Sequence, residues 1–210
     1  MKAKLLLAIF TIGVGTLAIA QENFGRFENS PKLEFVVEGP GKGRDMRLLE
    51  DFTYIDPGGG EWTAKKEFQT NGASIPQVFW SFVGGPFDGP YRSAAIIHDW
   101  FCDKKDRRWQ DVHRVFYYAS RAAGVGEIKA KILYAAVMFG GPRWGKGKSQ
   151  CYASCHGAAG MTEERGVTVL SPTLSKEGAQ EIVDWVKKEN PSLDDIDRRT
   201  KLAHGLASFE

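Results

Sequence analysis

The residues able to do chemistry gather in one stretch of this 210-residue chain, Tyr91 to Ala123, which reads YRSAAIIHDWFCDKKDRRWQDVHRVFYYASRAA. His98 and Asp99 stand together behind the apolar run Ala94-Ala95-Ile96-Ile97, and Asp111 and His113 follow at the start of a second helical segment. A polar pair inside an apolar run needs partners, because a buried polar group left unpaired costs free energy. An antiparallel second helix would bring Asp111 and His113 back toward His98. His98, Asp99 and His113 would then form a two-histidine, one-carboxylate set able to hold a divalent metal, zinc or calcium, and to acidify a water bound to it. Without a metal, His98 would be a general base oriented by Asp99 or Asp111, taking a proton from water. Both routes are hydrolytic, with His98, Asp99, Asp111 and His113 as the catalytic residues. A structural reading stands beside them, in which the same side chains form a buried hydrogen-bond network that fixes the two helices and the turn before them. Neighbouring helix residues diverge by about 100°, so His98 and Asp99 are expected to face different ways, one toward the adjoining helix and the other toward the loop Gly84 to Pro90.

A second chemical signal is Cys151-Tyr-Ala-Ser-Cys155-His156. Covalent haem attachment uses Cys-x-x-Cys-His. One more residue intervenes here, a spacing that resembles rare c-type cytochrome sites, so Cys151, Cys155 and His156 are the candidate haem c residues. A local disulfide or two unrelated thiols is the plainer reading. Cys102, in the helical stretch, reads as a small buried hydrophobe.

These side chains must be positioned by a mixture of strands and helices. Leu33 to Val37 and Met46 to Ile55 are rich in aliphatic, aromatic and β-branched residues and are bounded by Gly/Pro turns, which predicts strands, with Trp62 to Phe68 a weaker third. Helices are predicted over Tyr91 to Asp103, Trp109 to Ala122 and Glu127 to Phe139, the last carrying an apolar stripe of Ile128, Ile132, Ala135, Ala136 and Phe139 that reads as core. The fold class expected is α+β: a small antiparallel sheet followed by a helical hairpin and a third helix. Residues 145–210 read as a helical C-terminal extension, with one helix over Ser175 to Glu189 and another toward Leu206 started by a Ser192/Asp195 capping box.

Residues 1–20 have the pattern of a secretory signal peptide: Lys2 and Lys4, an apolar stretch from Leu5 to Ala18, and Leu17-Ala18-Ile19-Ala20 as the cleavage site. The expected division is therefore 1–20 signal peptide, 21–144 principal domain and 145–210 extension, and the expected address is periplasmic or secreted. No segment after the leader is apolar enough to span a bilayer. The formal charge of +2, with basic and acidic residues evenly mixed, does not call for nucleic acid as a partner. An unknown small molecule, a lipid or an envelope component fits this balance better.

Three motifs in a fixed order carry a family resemblance: TNGASIP at 70–76 followed by Phe79-Trp80, AAIIHD at 94–99, and VHRVFYYA at 112–119 leading to FGGPRW at 139–144. Over residues 33–144 the chain resembles the family called domain of unknown function 1353, found in bacteria and phages. The family turn more often reads TDGASIP, and its second helix more often carries Asp where His113 stands. If the family site needs both carboxylates, Asn71 and His113 imply a changed ligand set or a lost activity. A more distant resemblance, to secreted phospholipase A2, lies in a His-Asp pair on a helix after a Gly-rich loop, with an aspartate from the next helix orienting the histidine. It implies a phospholipase-like hydrolase, although Gly84-Gly85-Pro86-Phe87-Asp88 matches the calcium loop only loosely and the flanking cysteines are missing.

The functional expectation is an exported hydrolase with a His-Asp centre. The alternative is a non-catalytic structural or binding module, of envelope or phage origin, presenting Phe79, Trp80, Phe82 and Phe87 as a contact surface. A variant c-type haem protein is the third reading.

Overall fold

Alternation of apolar and polar residues builds the N-terminal half from short antiparallel strands. The computed structural model describes residues 22–36, 45–72, 75–85, 87–146, 160–164 and 167–204. β1 (Arg26–Phe27), β4 (Phe52–Ile55) and β5 (Glu61–Ala64) form one sheet in the order β1-β4-β5. β2 (Leu33–Phe35), β3 (Met46–Leu48) and β6 (Gln69–Thr70) form a second in the order β2-β3-β6. The stretch Met46 to Ile55, read from sequence as a single strand, is thus divided between two sheets. The break falls where the Asp51 carboxylate accepts from the Lys66 backbone N–H at 2.8 Å and from Lys65 Nζ at 2.9 Å, pulling the chain into a bend. In β4, Phe52 and Tyr54 face the core and pair across the ladder with Ala64 and Trp62, all four buried.

A 3-10 turn at Gln77–Phe79 leads into α1 (Trp80–Val83), and then come α2 (Arg92–Lys104), α3 (Trp109–Ala122) and α4 (Glu127–Gly140). The small sheets followed by helices make the domain α+β. Every residue of α4 from Ala130 to Phe139 is buried, which explains why it reads as apolar beyond a single stripe: it is the central helix. Lys131 is tolerated there because its ammonium reaches Glu127 Oε1 and Asn190 Oδ1, each at 2.6 Å. Gly140, at its end, has Pro76 so close that a Cβ would stand 2.6 Å from Pro76 Cγ, so Pro76 is pressed against the end of α4.

The expectation of helices alone after residue 144 is corrected: strands precede the two helices there. β7 (Arg143–Lys146), β8 (Gly160–Glu164) and β9 (Val167–Ser171) form an antiparallel sheet in the order β7-β9-β8. The Val-Thr-Val-Leu run of β9 has the β-branched character that strands favour. α5 (Lys176–Glu189) is capped by Ser175, and α6 (Leu193–Ala203) begins with the capping box read from Ser192 and Asp195. Both pack on α4. Arg114 of α3 holds α6 through Asp194 at 2.6 Å and Asp197 at 2.7 Å, and the Tyr134 hydroxyl of α4 also donates to Asp197. Residues 1–21 lie outside the described residues, as do 147–159 and 205–210, so the leader, Cys151, Cys155, His156 and Leu206 receive no structural account. Among the described residues, no helix is long and apolar enough to cross a membrane.

Phe79, from the aromatic stretch before α2, is fully buried, while Trp80 and Phe82 are partly buried and packed against the core. The Trp80 indole donates to the Ile75 carbonyl at 3.0 Å, which fastens this segment to the turn at 70–76.

Candidate functional site: a buried His-Cys-His cluster

α2 presents residues four apart on one face, and His98 and Cys102 share the face turned to α3. His113, on the first turns of α3, meets them there. His98 Nε2 lies 2.9 Å from His113 Nδ1, and the Cys102 sulfur lies 3.6 Å from His98 Nε2 and 3.7 Å from Nδ1. One ligand atom from each of the three residues falls within 4.8 Å of the others. The walls are aromatic: ring centroids of Phe116 and His98 are 4.8 Å apart, those of Trp109 and His113 5.5 Å, and those of His113 and Trp144 6.3 Å. His98 is 1% exposed, His113 0% and Cys102 8%, so all three are buried and Cys102 is the least so.

Burial keeps both imidazoles neutral. Desolvation pushes the His98 pKa down to about 3. His113 is held well below its ordinary value, first by desolvation and then by the positive charges His98 and Arg143 would bring to bear on it. The Pro142 carbonyl opposes this weakly, but His113 Nε2 is buried and makes no aligned hydrogen bond. Arg143 is itself buried, donates to the Met138 carbonyl at 2.6 Å at the end of α4, and sits with its guanidinium carbon 5.3 Å from the Trp109 ring centroid.

The four residues singled out from the sequence do not converge on one point. His98 and His113 meet. Asp99 turns instead toward the turn before α1: its Oδ2 accepts from Thr70 Oγ1 at 2.7 Å, and Thr70 Oγ1 in turn accepts from the Gly72 N–H at 3.1 Å. The divergence of adjacent helix residues is as expected, but the partner found is the turn at 70–76 where the loop 84–90 was anticipated. Asp111 is exposed. It lines a surface cleft of about 620 Å³ together with Asp56, Trp62, Arg107, Arg108 and Tyr118, away from the histidines. Two positions along a helix amount to about 200° of rotation, so once His113 faces inward Asp111 must face out. Neither Asp99 nor Asp111 is placed to orient His98. Cys102, which sequence reasoning assigned to packing alone, is the third member of the cluster, and the His98-x-x-x-Cys102 spacing was the available signal.

Asp99→Ala is expected to cost about 1.5–3 kcal/mol, the range for a hydrogen bond to a charged group, read as a fall in the urea midpoint. Properties of the histidine cluster should be unchanged in that variant. A loss of those properties with no loss of stability would place Asp99 in the site after all.

Chemically, three neutral or readily deprotonated donors, two nitrogen and one sulfur, at mutual distances short enough to share one ion, form a candidate centre for a thiophilic transition metal. Residues 46–137 match the sequence profile of a family described as protein of unknown function, DUF1353. Two curated relatives from Sinorhizobium fredii (strain NBRC 101917 / NGR234) are similar to the chain. The uncharacterized protein y4jT is 45% identical over 143 residues, 67% of this chain and 42% of its own length. The uncharacterized protein y4iH is 46% identical over 110 residues, 52% of this chain and 46% of its own length. The chain thus spans less than half the length of these relatives. No solved structure matches it.

Proposed function

We propose, from the premise that residues 46–137 of this chain belong to the DUF1353 family, that its domain is a metal-binding module in which His98, Cys102 and His113 hold one thiophilic transition-metal ion at the junction of α2 and α3. The observation that carries this reading is the approach of one donor atom from each of three buried residues to within 4.8 Å of one another. Neutral imidazoles need lose no net proton to ligate: the N–H bridging His98 Nε2 and His113 Nδ1 moves to the other nitrogen of its ring, and the thiol proton is the one released to solvent. The leader-like pattern of residues 1–20 supports a site of action outside the cytoplasm.

Hydrolysis by a His-Asp centre is less well supported. A base with a pKa near 3 has little driving force for taking a proton from water at neutral pH. Its imidazole is also walled off by aromatic rings, and no carboxylate of Asp99 or Asp111 orients it.

The test is metal content and uptake. In a Cys151→Ser/Cys155→Ser background, so that only the buried cluster is read, the folded chain should take up one equivalent of a late transition metal. His98→Gln and His113→Gln should each abolish uptake while Asp111→Ala leaves it intact. An ion present at about 100 times its Kd should stabilise the native state by about 2.7 kcal/mol, visible as a rise in Tm. A folded wild-type cluster that takes up no metal would sink the proposal.

A further inference from the structure

We infer that the ion best suited to this cluster is monovalent copper, Cu(I), in a three-coordinate site, and that the buried charge of Arg143 is what disfavours a divalent ion there. The inference rests on the reading of His98, Cys102 and His113 as ligands.

Net charge makes the distinction. Imidazoles ligate a metal as neutral donors and a cysteine as its thiolate, so the three side chains bring one negative charge to the ion. On binding, the Cys102 S–H bond breaks, its proton leaves to solvent, and a sulfur–metal bond forms. With Cu(I) the thiolate and the ion cancel and the site stays neutral. With Zn(II) it gains one positive charge.

That gain falls beside Arg143. Its side chain is 2% exposed, and none of the ion pairs among the described residues supplies it with a carboxylate. What it meets is the end of α4, the carbonyls of Met138 and Phe139 at 2.6 and 3.3 Å. Trp109 contacts both, with its ring centroid 5.3 Å from the guanidinium carbon and 5.5 Å from the His113 ring, which bounds the separation of Arg143 from the His113 ring at about 11 Å. Two like charges within roughly 10 Å at an effective dielectric near 20 disfavour binding by about tenfold or more.

Donor number points the same way. Zinc in a closed site takes four ligands. Among the described residues, the cluster offers three. Of the two indoles in the wall, Trp144 has its N–H committed to the Arg107 carbonyl at 2.7 Å, and an indole has no lone pair to give in any case. A soft monovalent ion accepts two imidazoles and a thiolate without a fourth donor.

The experiment is a pair of competition titrations on the full chain in the Cys151→Ser/Cys155→Ser background, Cu(I) against bicinchoninate under anaerobic conditions and Zn(II) against a chelating dye, for wild type, Arg143→Gln and the charge-keeping Arg143→Lys. Arg143→Gln is expected to raise Zn(II) affinity about tenfold or more and to move Cu(I) affinity by less than about threefold. Arg143→Lys should leave both near wild type. Equal shifts for the two ions, or no shift for Zn(II), overturn the inference while leaving the metal site standing. Failure of both ions to bind overturns the site itself. X-ray absorption of the copper-loaded Cys151→Ser/Cys155→Ser chain decides independently of how the Arg143 variants fold: two nitrogens and one sulfur are expected, and a fourth, oxygen ligand overturns the three-coordinate site.

Discussion

Acidification is expected to unfold the metal-free protein well before its carboxylates are fully protonated. The folded-state pKa of His98 is lowered from 6.5 to about 3, and that of His113 is lowered well below 6.5. A histidine whose folded pKa is depressed contributes no penalty above its unfolded pKa. Below that value the unfolded chain binds the proton first, and stability falls as pH falls. Each such group removes about 1.4 kcal/mol per pH unit, so the pair removes about 3 kcal/mol per unit while both stay neutral in the fold. For His98 alone this amounts to roughly 3–4 kcal/mol between pH 6.5 and about 4, a large part of the whole stability of an ordinary domain, about 5–15 kcal/mol, and His113 adds to it in the same direction. Arg143 works in the same direction, since its charge opposes protonation of His113. Urea midpoints measured across this range should show the slope. The double variant His98→Leu/His113→Leu should lack most of it, because replacing both partners of a buried hydrogen bond by apolar groups of similar size is close to neutral. A slope unchanged in that variant would assign the acid sensitivity to other groups.

Phe116→Ala is the second large effect expected. The Phe116 ring is 1% exposed and lies with its centroid 4.8 Å from that of His98. Removing a buried phenyl ring costs about 3–5 kcal/mol through lost transfer free energy and the cavity left behind. This cavity would border a polar nitrogen, so water can enter it where it would not enter an apolar void. Relief of desolvation should then raise the His98 pKa toward its ordinary value and flatten the acid slope. Chemical denaturation gives the first quantity, and the pH dependence of the histidine ring resonances gives the second. A stability loss below about 1 kcal/mol would mean that the ring is not the wall the packing makes it.

Much of the architecture was legible in the chain because it follows from local rules. Apolar periodicity gave α2, α3 and α4 nearly at their observed bounds, and the Ser192/Asp195 spacing gave the cap of α6. The junction of α2 and α3 as the polar centre was legible too, since His98 and His113 are polar residues on helix faces otherwise given to core.

What the chain could not fix by itself was direction. Whether Asp99 or Cys102 joins His98 depends on which face of α2 meets α3, and that is set by the packing of Trp62 on Phe101 and of Phe116 on His98, contacts between residues distant in sequence. The division of Met46 to Ile55 between two sheets was likewise decided by Asp51 binding the strand-to-strand turn at Lys65 and Lys66. Sequence alone therefore determined which residues were available for chemistry and on which elements they lie. Only the tertiary structure made a His-Cys-His cluster of them, because burial and the handed rotation of a helix turn neighbours in sequence into partners of different elements.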